Sequence, residues 1–344
     1  MQDKYILFAD GKSPHTLKWV KELIKYYELY VISLRGYDEN ILHYIPKDRV
    51  IVLNESVKTQ GGNAKLLFKY FDLLKAINEI DPKYLNAHFL SSYGFLAALI
   101  KLKIPSLKLI QSTLGTDILV TPFESKIKFW AAKFALSKAD LITSDSYYMS
   151  DKIKEIYPDS YIDTFPFGVD DFEIGVNFKK DENLIFSNRM LRKNYNIDTI
   201  IQWFSNLDKK YNLIIAHSGD MKNELISLVD SLNITDRVKF VGFLNAKEQE
   251  YYYRKAKYYI SIPTSDSTSV SLLEAMRYGC YPIVSNLPAN REWLLDKING
   301  TFFKESMSLP LFNKDIIQFN QKIIYNKAVF SKCIQDYINK LERI

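Results

Sequence analysis

Residues 258–284 read YYISIPTSDSTSVSLLEAMRYGCYPIV, and this stretch decides the fold. It opens on an apolar run, Tyr258–Ile262, of a length suited to a buried strand. A polar loop follows. A helix is predicted over 270–278, with Leu272, Leu273, Ala275 and Met276 as its packing face. A second apolar run, Tyr281–Val284, gives the next strand. Strand, helix and strand in such close succession are a βαβ unit, and its two strands are parallel.

The same alternation extends in both directions. Upstream in the second half, strands are predicted at Asn183–Ser187, Leu213–Ala216 and Val238–Val241, and downstream at Thr301–Phe303. Helices fall near 196–209, 220–232, 246–256 and 289–295. The first half repeats the plan. Its strands are Tyr5–Ala9, Leu29–Leu34, Tyr84–Phe89, Leu107–Gln111, Leu141–Thr143 and Tyr161–Phe165, with helices near 14–27, 63–80, 92–102, 123–138 and 146–157. Ser13 and Pro14 read as an N-cap followed by proline at the first helical position. Each series is long enough for a doubly wound α/β domain, in which ligands bind at the carboxyl ends of the strands. The expected division is 1–166, 181–312 and a helical tail 313–344 packing back toward the first domain, with Pro166–Lys180 as the connection.

Within the opening stretch, Asp266 and Glu274 stand on either side of a helix start, with Ser267, Thr268, Ser269 and Val270 between them. Backbone N–H groups at a helix N-terminus, carrying about half a positive charge, suit a diphosphate. A carboxylate in the first turns can accept from two vicinal hydroxyls, as on a ribose. The spacing Ser271-x-x-Glu274 also matches a capping box, which stabilises a helix start and does nothing else. The residues alone leave both readings open.

The longer run SDSTSVSLLEAMRYGCYPIVSNLPANREWLLDKINGTFF resembles the C-terminal signature of the GT-B glycosyltransferases, specifically the large retaining group called family 4. That group carries two acidic residues separated by seven, then EAM, a glycine, a Pro-Val-like strand start, an acidic residue and Asn-Gly. The counterparts here are Asp266, Glu274-Ala275-Met276, Gly279, Pro282-Ile283-Val284, Glu292 and Asn299-Gly300. The first acid is usually Glu, so Asp266 is one methylene shorter. Ser187-Asn188-Arg189 resembles the family's strand end, where an Arg, and a Lys about five residues on, neutralise the nucleotide diphosphate. Arg189 matches; Asn194 takes the place of the Lys, and Lys193 is the nearest cation. Leu114-Gly115-Thr116-Asp117 resembles a His-Gly-x-Asp pattern with Leu114 in place of the His. Asp117 is then a candidate for an acceptor hydroxyl, for loop orientation, or for a simple Asx-turn. Weaker matches are Phe167-Gly168-Val169-Asp170, Ala216-His217-Ser218-Gly219, His15 and His88.

What the resemblance implies is an α/β GT-B architecture, two Rossmann-like doubly wound domains facing across a cleft. It implies transfer of a sugar from a nucleotide diphosphate sugar, of UDP or GDP type, to a glycan or lipid-linked glycan with retention of configuration. Glu274 would bind the ribose, the amides of Ser267–Val270 the phosphates, and Asp266 the sugar. Arg189, with Lys193, would stabilise the departing diphosphate. Gly11, Ser13, His15 and Asp117 would serve the acceptor side. No metal and no further cofactor are expected. An epimerase on the same fold and a non-catalytic nucleotide-sugar-binding subunit are the rival readings. A dehydrogenase is disfavoured because no GxGxxG follows a predicted strand.

Composition sets the remaining bounds. The 344 residues are 47% hydrophobic and 25% charged, with a net charge of +6, which leaves no strong footprint for nucleic acid. KLLFKYFDLLK, with Lys65, Lys69 and Lys75, and KIKFWAAKF, with Lys126, Lys128 and Lys133, interleave lysines with apolar side chains. Such segments either dock on an anionic membrane face or form the solvated edges of amphipathic helices. Cys280 and Cys333 have no metal-ligand or disulfide spacing, which fits a reduced, cytoplasmic compartment. MQDKYILFAD lacks the plan of a signal peptide, and no apolar run approaches the ~20 residues of a membrane span, so membrane contact is expected to be peripheral, on the inner face.

Overall fold

The computed structural model describes residues 2–53, 68–310 and 315–344. The chain divides into two compact units, Met1–Phe167 with Ser331–Ile344, and Gly168–Phe330.

In the first unit β1 (Lys4–Phe8), β2 (Glu28–Ser33), β3 (Val50–Val52), β4 (Tyr84–His88), β5 (Lys108–Ser112), β6 (Leu141–Ser144) and β7 (Ile162–Thr164) form one sheet. Its order is β3-β2-β1-β4-β5-β6-β7, with every neighbouring pair parallel. The helices are α1 (Pro14–Leu23), α2 (Tyr70–Ile80), α3 (Phe95–Lys103), α4 (Thr116–Leu119), α5 (Lys126–Ser137) and α6 (Tyr147–Ile156). Ile6 and Phe8 of β1 point into a core shared with α2, α3, α5 and α6. Tyr5 points to the other face. Side chains of this kind contribute roughly 1.5–3 kcal/mol each when fully buried. Ser13 caps α1 by accepting from His15 N (3.3 Å), with Pro14 beside it, as the sequence predicts.

The second unit repeats the plan. β8 (Asp181–Ser187), β9 (Asn212–Ala216), β10 (Val238–Gly242), β11 (Ala256–Ser261), β12 (Tyr281–Val284) and β13 (Thr301–Phe302) make a parallel sheet of order β10-β9-β8-β11-β12-β13. Its helices are α7 (Ile197–Ser205), α8 (Lys222–Ser231), α9 (Ala246–Lys255), α10 (Val270–Arg277), α11 (Pro288–Arg291) and α12 (Asp315–Lys327). Both units are Rossmann-like. In each the order reverses beside the first strand, between β1 and β4 and between β8 and β11. That reversal opens a crevice at the carboxyl ends of the strands.

Two sequence expectations change. The edge strand β3 was not predicted. The tail expected as one segment divides. Its α12 stays with the second unit, where Asn320 exchanges hydrogen bonds with Asn299, while α13 (Phe330–Leu341) lies in the first. There Tyr337 meets Tyr5 by a hydroxyl contact of 2.8 Å and packs edge-on against Trp19. The connection Pro166–Lys180 holds the unit boundary and is tied to the second unit by backbone hydrogen bonds. Val169 N donates to Ala328 O (2.7 Å), Phe330 N to Val169 O (2.9 Å), and Gly175 N to Gln321 Oε1 (2.8 Å). The part of the predicted helix 63–80 before residue 68, with Lys65, lies outside the described residues.

Candidate active site

The crevice between β8 and β11 gathers most of the residues singled out in the second unit. Arg189 leaves the end of β8, and Asp266 and Ser269 lie in the loop between β11 and α10. The guanidinium Nη2 of Arg189 donates to Asp266 Oδ2 (2.8 Å) and its Nη1 to Ser269 Oγ (2.6 Å). The Tyr195 ring lies under the same guanidinium, 4.6 Å from centroid to Cζ. Burial works against the Arg189 charge, but Asp266 together with Tyr259 and Tyr195 outweighs it and holds the group protonated. Burial likewise pushes the Asp266 carboxyl up, with Arg189 and the Ser267 N–H pulling it back.

The start of α10 is open. Ser269 is its N-cap residue, in extended conformation, yet no side chain caps the helix. Ser13, Ser125, Ser146 and Asn245, in the same position on α1, α5, α6 and α9, all cap their helices. Ser269 differs because Arg189 has taken its hydroxyl. The first N–H groups of α10 therefore face the crevice without a side-chain partner, as anion-binding helix ends do. The capping box read from Ser271 and Glu274 is absent, because the helix begins two residues too early for it. The capping box that does form is Asn245 with Glu248 on α9. Glu274 is thereby left half-buried in the second turn of α10, where its charge adds to burial in holding Tyr253 protonated.

Neighbouring loops brace this arrangement. Ser267, Thr268 and Ser269 are buried, and Trp293 Nε1 donates to Thr268 Oγ1 (3.3 Å). Thr264 N donates to Asn194 O (2.8 Å) and Asn196 Nδ2 to Ile262 O (2.8 Å), stitching the loop after β8 to the loop after β11. Asn188 donates to Gln249 Oε1 (2.8 Å) and Tyr253 OH (2.7 Å), and accepts from Tyr259 OH (3.1 Å). Gly219 lies so close to the Leu191 carbonyl that any side chain there would collide with it. Ser187 Oγ is buried without a partner among the described residues. Lys193 sits exposed on a 3-10 turn, Lys193–Tyr195, and its side chain makes no hydrogen bond or ion pair among the described residues. Sequence reasoning missed Tyr195, which follows directly on Asn194, the residue in the place of the family's Lys. It also missed exposed Phe243, which meets His217 of the Ala216–Gly219 match edge-on (5.6 Å) beyond β9 and β10.

In the first unit the named residues serve loop geometry. Asp117 is fully buried; its Oδ2 accepts from Leu90 N (2.8 Å) and its Oδ1 from Leu114 N (3.0 Å). Burial pushes its carboxyl up against those bonds. Gly11 packs against Gly36 and Tyr37, and its N–H donates to Ser33 Oγ (3.0 Å). His15 is exposed, with its ring 4.6 Å from that of Phe167. His88 is buried at the end of β4, and its Nε2 has no partner among the described residues. Among the described residues no His, Cys, Asp and Glu are grouped as metal ligands, and no helix is long and apolar enough to cross a membrane.

The family description "Glycosyl transferases group 1" matches residues 170–323, and "Glycosyl transferase 4-like" matches residues 4–146. The chain belongs to the family 4-like glycosyltransferases. An uncharacterized glycosyltransferase of Methanocaldococcus jannaschii is 28% identical over 159 residues, 44% of this chain and 40% of that protein. The alpha-monoglucosyldiacylglycerol synthase of Streptococcus pneumoniae is 29% identical over 111 residues, 31% of this chain and 25% of its own length. The matched regions thus span between a quarter and two fifths of these relatives. Anabaena HepE, solved in complex with UDP and glucose, superposes with a TM-score of 0.78 at 17% identity, covering all of both chains. That likeness shows the fold, which is GT-B.

Proposed function

We propose that the protein transfers a sugar from a nucleotide diphosphate sugar, of UDP or GDP type, to a glycan or lipid-linked glycan, with retention at the anomeric carbon. The observation that carries this reading is Arg189, held between Asp266 and Ser269 at the uncapped start of α10. Cleaving the sugar–phosphate bond leaves negative charge on the diphosphate. A fixed guanidinium and an open helix N-terminus are the groups that stabilise it, and donors already oriented need no reorganisation as the charge develops.

In this reading the diphosphate takes the hydrogen bonds that Arg189 now gives to Asp266 and Ser269. Asp266, released, accepts from a hydroxyl of the transferred sugar. The N–H groups from Ser267 to Val270 hold phosphate oxygens, Glu274 holds the ribose, and Lys193 adds charge from the adjoining turn. Phe243 and His217 supply an aromatic shelf for the base at the far end of the sheet. The loop Gly11–His15 meets the acceptor, while Asp117 acts by fixing the Leu90 and Leu114 backbone. The protein would work in the cytoplasm, at the inner face of the membrane when its acceptor is lipid-borne.

Incubation with UDP-, GDP- and ADP-sugars tests the reading. Release of nucleoside diphosphate that requires Arg189 and a glycan acceptor supports it. Epimer formation without acceptor would give the site to the epimerase class, and nucleotide binding without turnover across the panel would make the chain a binding subunit.

A further inference from the structure

The first unit builds its own pair of opposite charges at the carboxyl end of its sheet. Asp10 follows β1 and Arg35 follows the neighbouring strand β2, and the Arg35 guanidinium donates to Asp10 Oδ2. The loops that carry them are locked together. Ser33 Oγ accepts from Gly11 N (3.0 Å) and Arg35 N (3.3 Å), Asp38 N donates to Gly11 O (2.8 Å), and Gly11 forms a parallel bridge with Tyr37. Gly36, directly after Arg35, holds a φ of +111°, which only glycine adopts readily. The backbone under Arg35 is therefore fixed, while its side chain stays 40% exposed. The ammonium end of Lys12 lies against Gly36, and it makes no ion pair among the described residues.

Tyr93 joins the cluster from across the strand reversal. It follows β4, and its ring packs edge-on against Phe8 of β1 (4.7 Å). Its hydroxyl is buried and makes no hydrogen bond of normal geometry among the described residues. Burial and then the Asp10 charge push that hydroxyl up to about 12, against Leu34, Ser33 and Arg35. A buried hydroxyl without a partner is costly and rare. This one stands in the field of the carboxylate that Arg35 engages. The arrangement repeats that of the second unit, where Arg189 rests on Asp266 beside the other strand reversal. An ion pair as exposed as Asp10 with Arg35 adds little stability, so loop bracing is a weak reason for it.

We propose that Arg35, with Lys12, binds a negatively charged group of the acceptor, a carboxylate or a phosphate, so that the sugar is passed to an anionic glycan. Arg35 turns from Asp10 to the acceptor and makes the bidentate contact that a planar guanidinium offers to either oxyanion. The Tyr93 hydroxyl then takes its place as donor to Asp10. A neutral sugar gives Arg35 nothing in exchange for the carboxylate it would leave, so the pair discriminates against it. The inference rests on the transferase reading, with the acceptor at the Gly11–His15 loop, but its test reads binding with no donor present.

The full chain is titrated calorimetrically with matched p-nitrophenyl glycosides: glucoside against glucuronide, galactoside against galacturonide, and each neutral glycoside against its 6-phosphate. The expected result is that at least one charged glycoside binds tenfold or more tightly than its neutral counterpart, a preference that shrinks with salt. The carboxylate and phosphate arms show which anion the site takes. Arg35→Gln should bring the ratio close to one while leaving UDP binding and the affinity for the neutral glycoside unchanged. Arg35→Lys should keep part of the preference, and Lys12→Gln should lower it several-fold. Tyr93→Phe, which keeps the ring against Phe8, should lower it as well. Absence of any preference for a charged glycoside in the parent chain overturns the proposal. So does an Arg35→Gln variant that loses charged and neutral glycosides alike, which would make Arg35 a brace for the loop. Sugar transfer that persists without the preference sinks this inference alone; the preference without transfer to any glycoside would sink the transferase reading and leave the anion site standing.

Discussion

Replacing Asp266 with Asn isolates the charge that Arg189 faces while the site is empty. The ion pair spans 2.8 Å, with side chains only 13% and 23% exposed, so water screens it weakly. A diphosphate that takes Arg189 must displace this carboxylate and then sit beside it. A hydrogen bond to a charged group contributes about 1.5–3 kcal/mol. Two unit charges roughly 6 Å apart at an effective dielectric of about 20 repel by about 3 kcal/mol. Asn keeps the shape and a neutral hydrogen bond while removing most of both terms. Part of the gain is lost because Arg189 is then less firmly oriented. Asp266→Asn should therefore bind UDP roughly tenfold more tightly than the parent, about 1.4 kcal/mol, by isothermal titration. Turnover should fall on the order of a hundredfold, because the carboxylate no longer accepts from the sugar in the transition state. Burial opposes the Asp266 charge, but the buried Arg189 then loses the carboxylate that sustains its own, so the melting temperature should fall by a few degrees. A folded variant that binds UDP no better than the parent, or less well, would show that the pair is no barrier to the donor and would refute the exchange of partners.

Glu274→Gln should weaken UDP binding at least tenfold while shifting the melting temperature by less than about 3 °C, since no capping box depends on it; a drop in melting temperature with unchanged affinity would restore the helix-start role. Tyr195→Ala should slow transfer several-fold and Tyr195→Phe less, because Phe keeps the ring face under Arg189 and loses only the hydroxyl's interaction with it; equal losses in both would assign the effect to the hydroxyl. Burial pushes the His88 imidazole down to about 3, whereas in the unfolded chain it titrates near about 6.5. Between those values the unfolded state binds the extra proton, so the stability is complete above about pH 6.5 and is lost as pH falls, by up to about 1.4 kcal/mol per pH unit. His88→Phe should flatten that acid limb in thermal melts of the first unit; an unchanged limb would assign it to other groups.

The strands of both units were legible because parallel strands covered on both faces read as apolar runs. β3 escaped, although the equally short edge strand β7 was read. Arg189, Asp266 and Glu274 were legible as a set, but not their partners. Whether Ser271 and Glu274 form a capping box depends on where α10 starts, and that is fixed by Arg189 holding Ser269 from 80 positions upstream. No local pattern carries that information. The same is true of the tail. Its helical periodicity was visible, but the exchange of bonds between Val169 and the 328–330 segment, where the chain returns to the first unit, is a long-range pairing.

The residues that made the resemblance specific divide into those that face the crevice and those that support it. Gly279 adopts a positive φ of 75° at a place where a side chain would meet Ile317 of α12. Asn299 is fully buried; it accepts from Leu295 N (2.7 Å), donates to Trp293 O (3.0 Å) and donates to Asn320 Oδ1 (2.9 Å). Trp293 in turn donates to Thr268 in the loop that opens α10. A continuous chain of hydrogen bonds thus runs from α12 through Asn299 and Trp293 to the candidate phosphate loop. Such a loop must hold its N–H groups fixed before the diphosphate arrives, because donors that reorganise on binding stabilise little. The downstream half of the signature is therefore a positioning device, and its spacing follows from the distance it must bridge. In the first unit a single side chain, Asp117, ties two loop backbones, at Leu90 and Leu114.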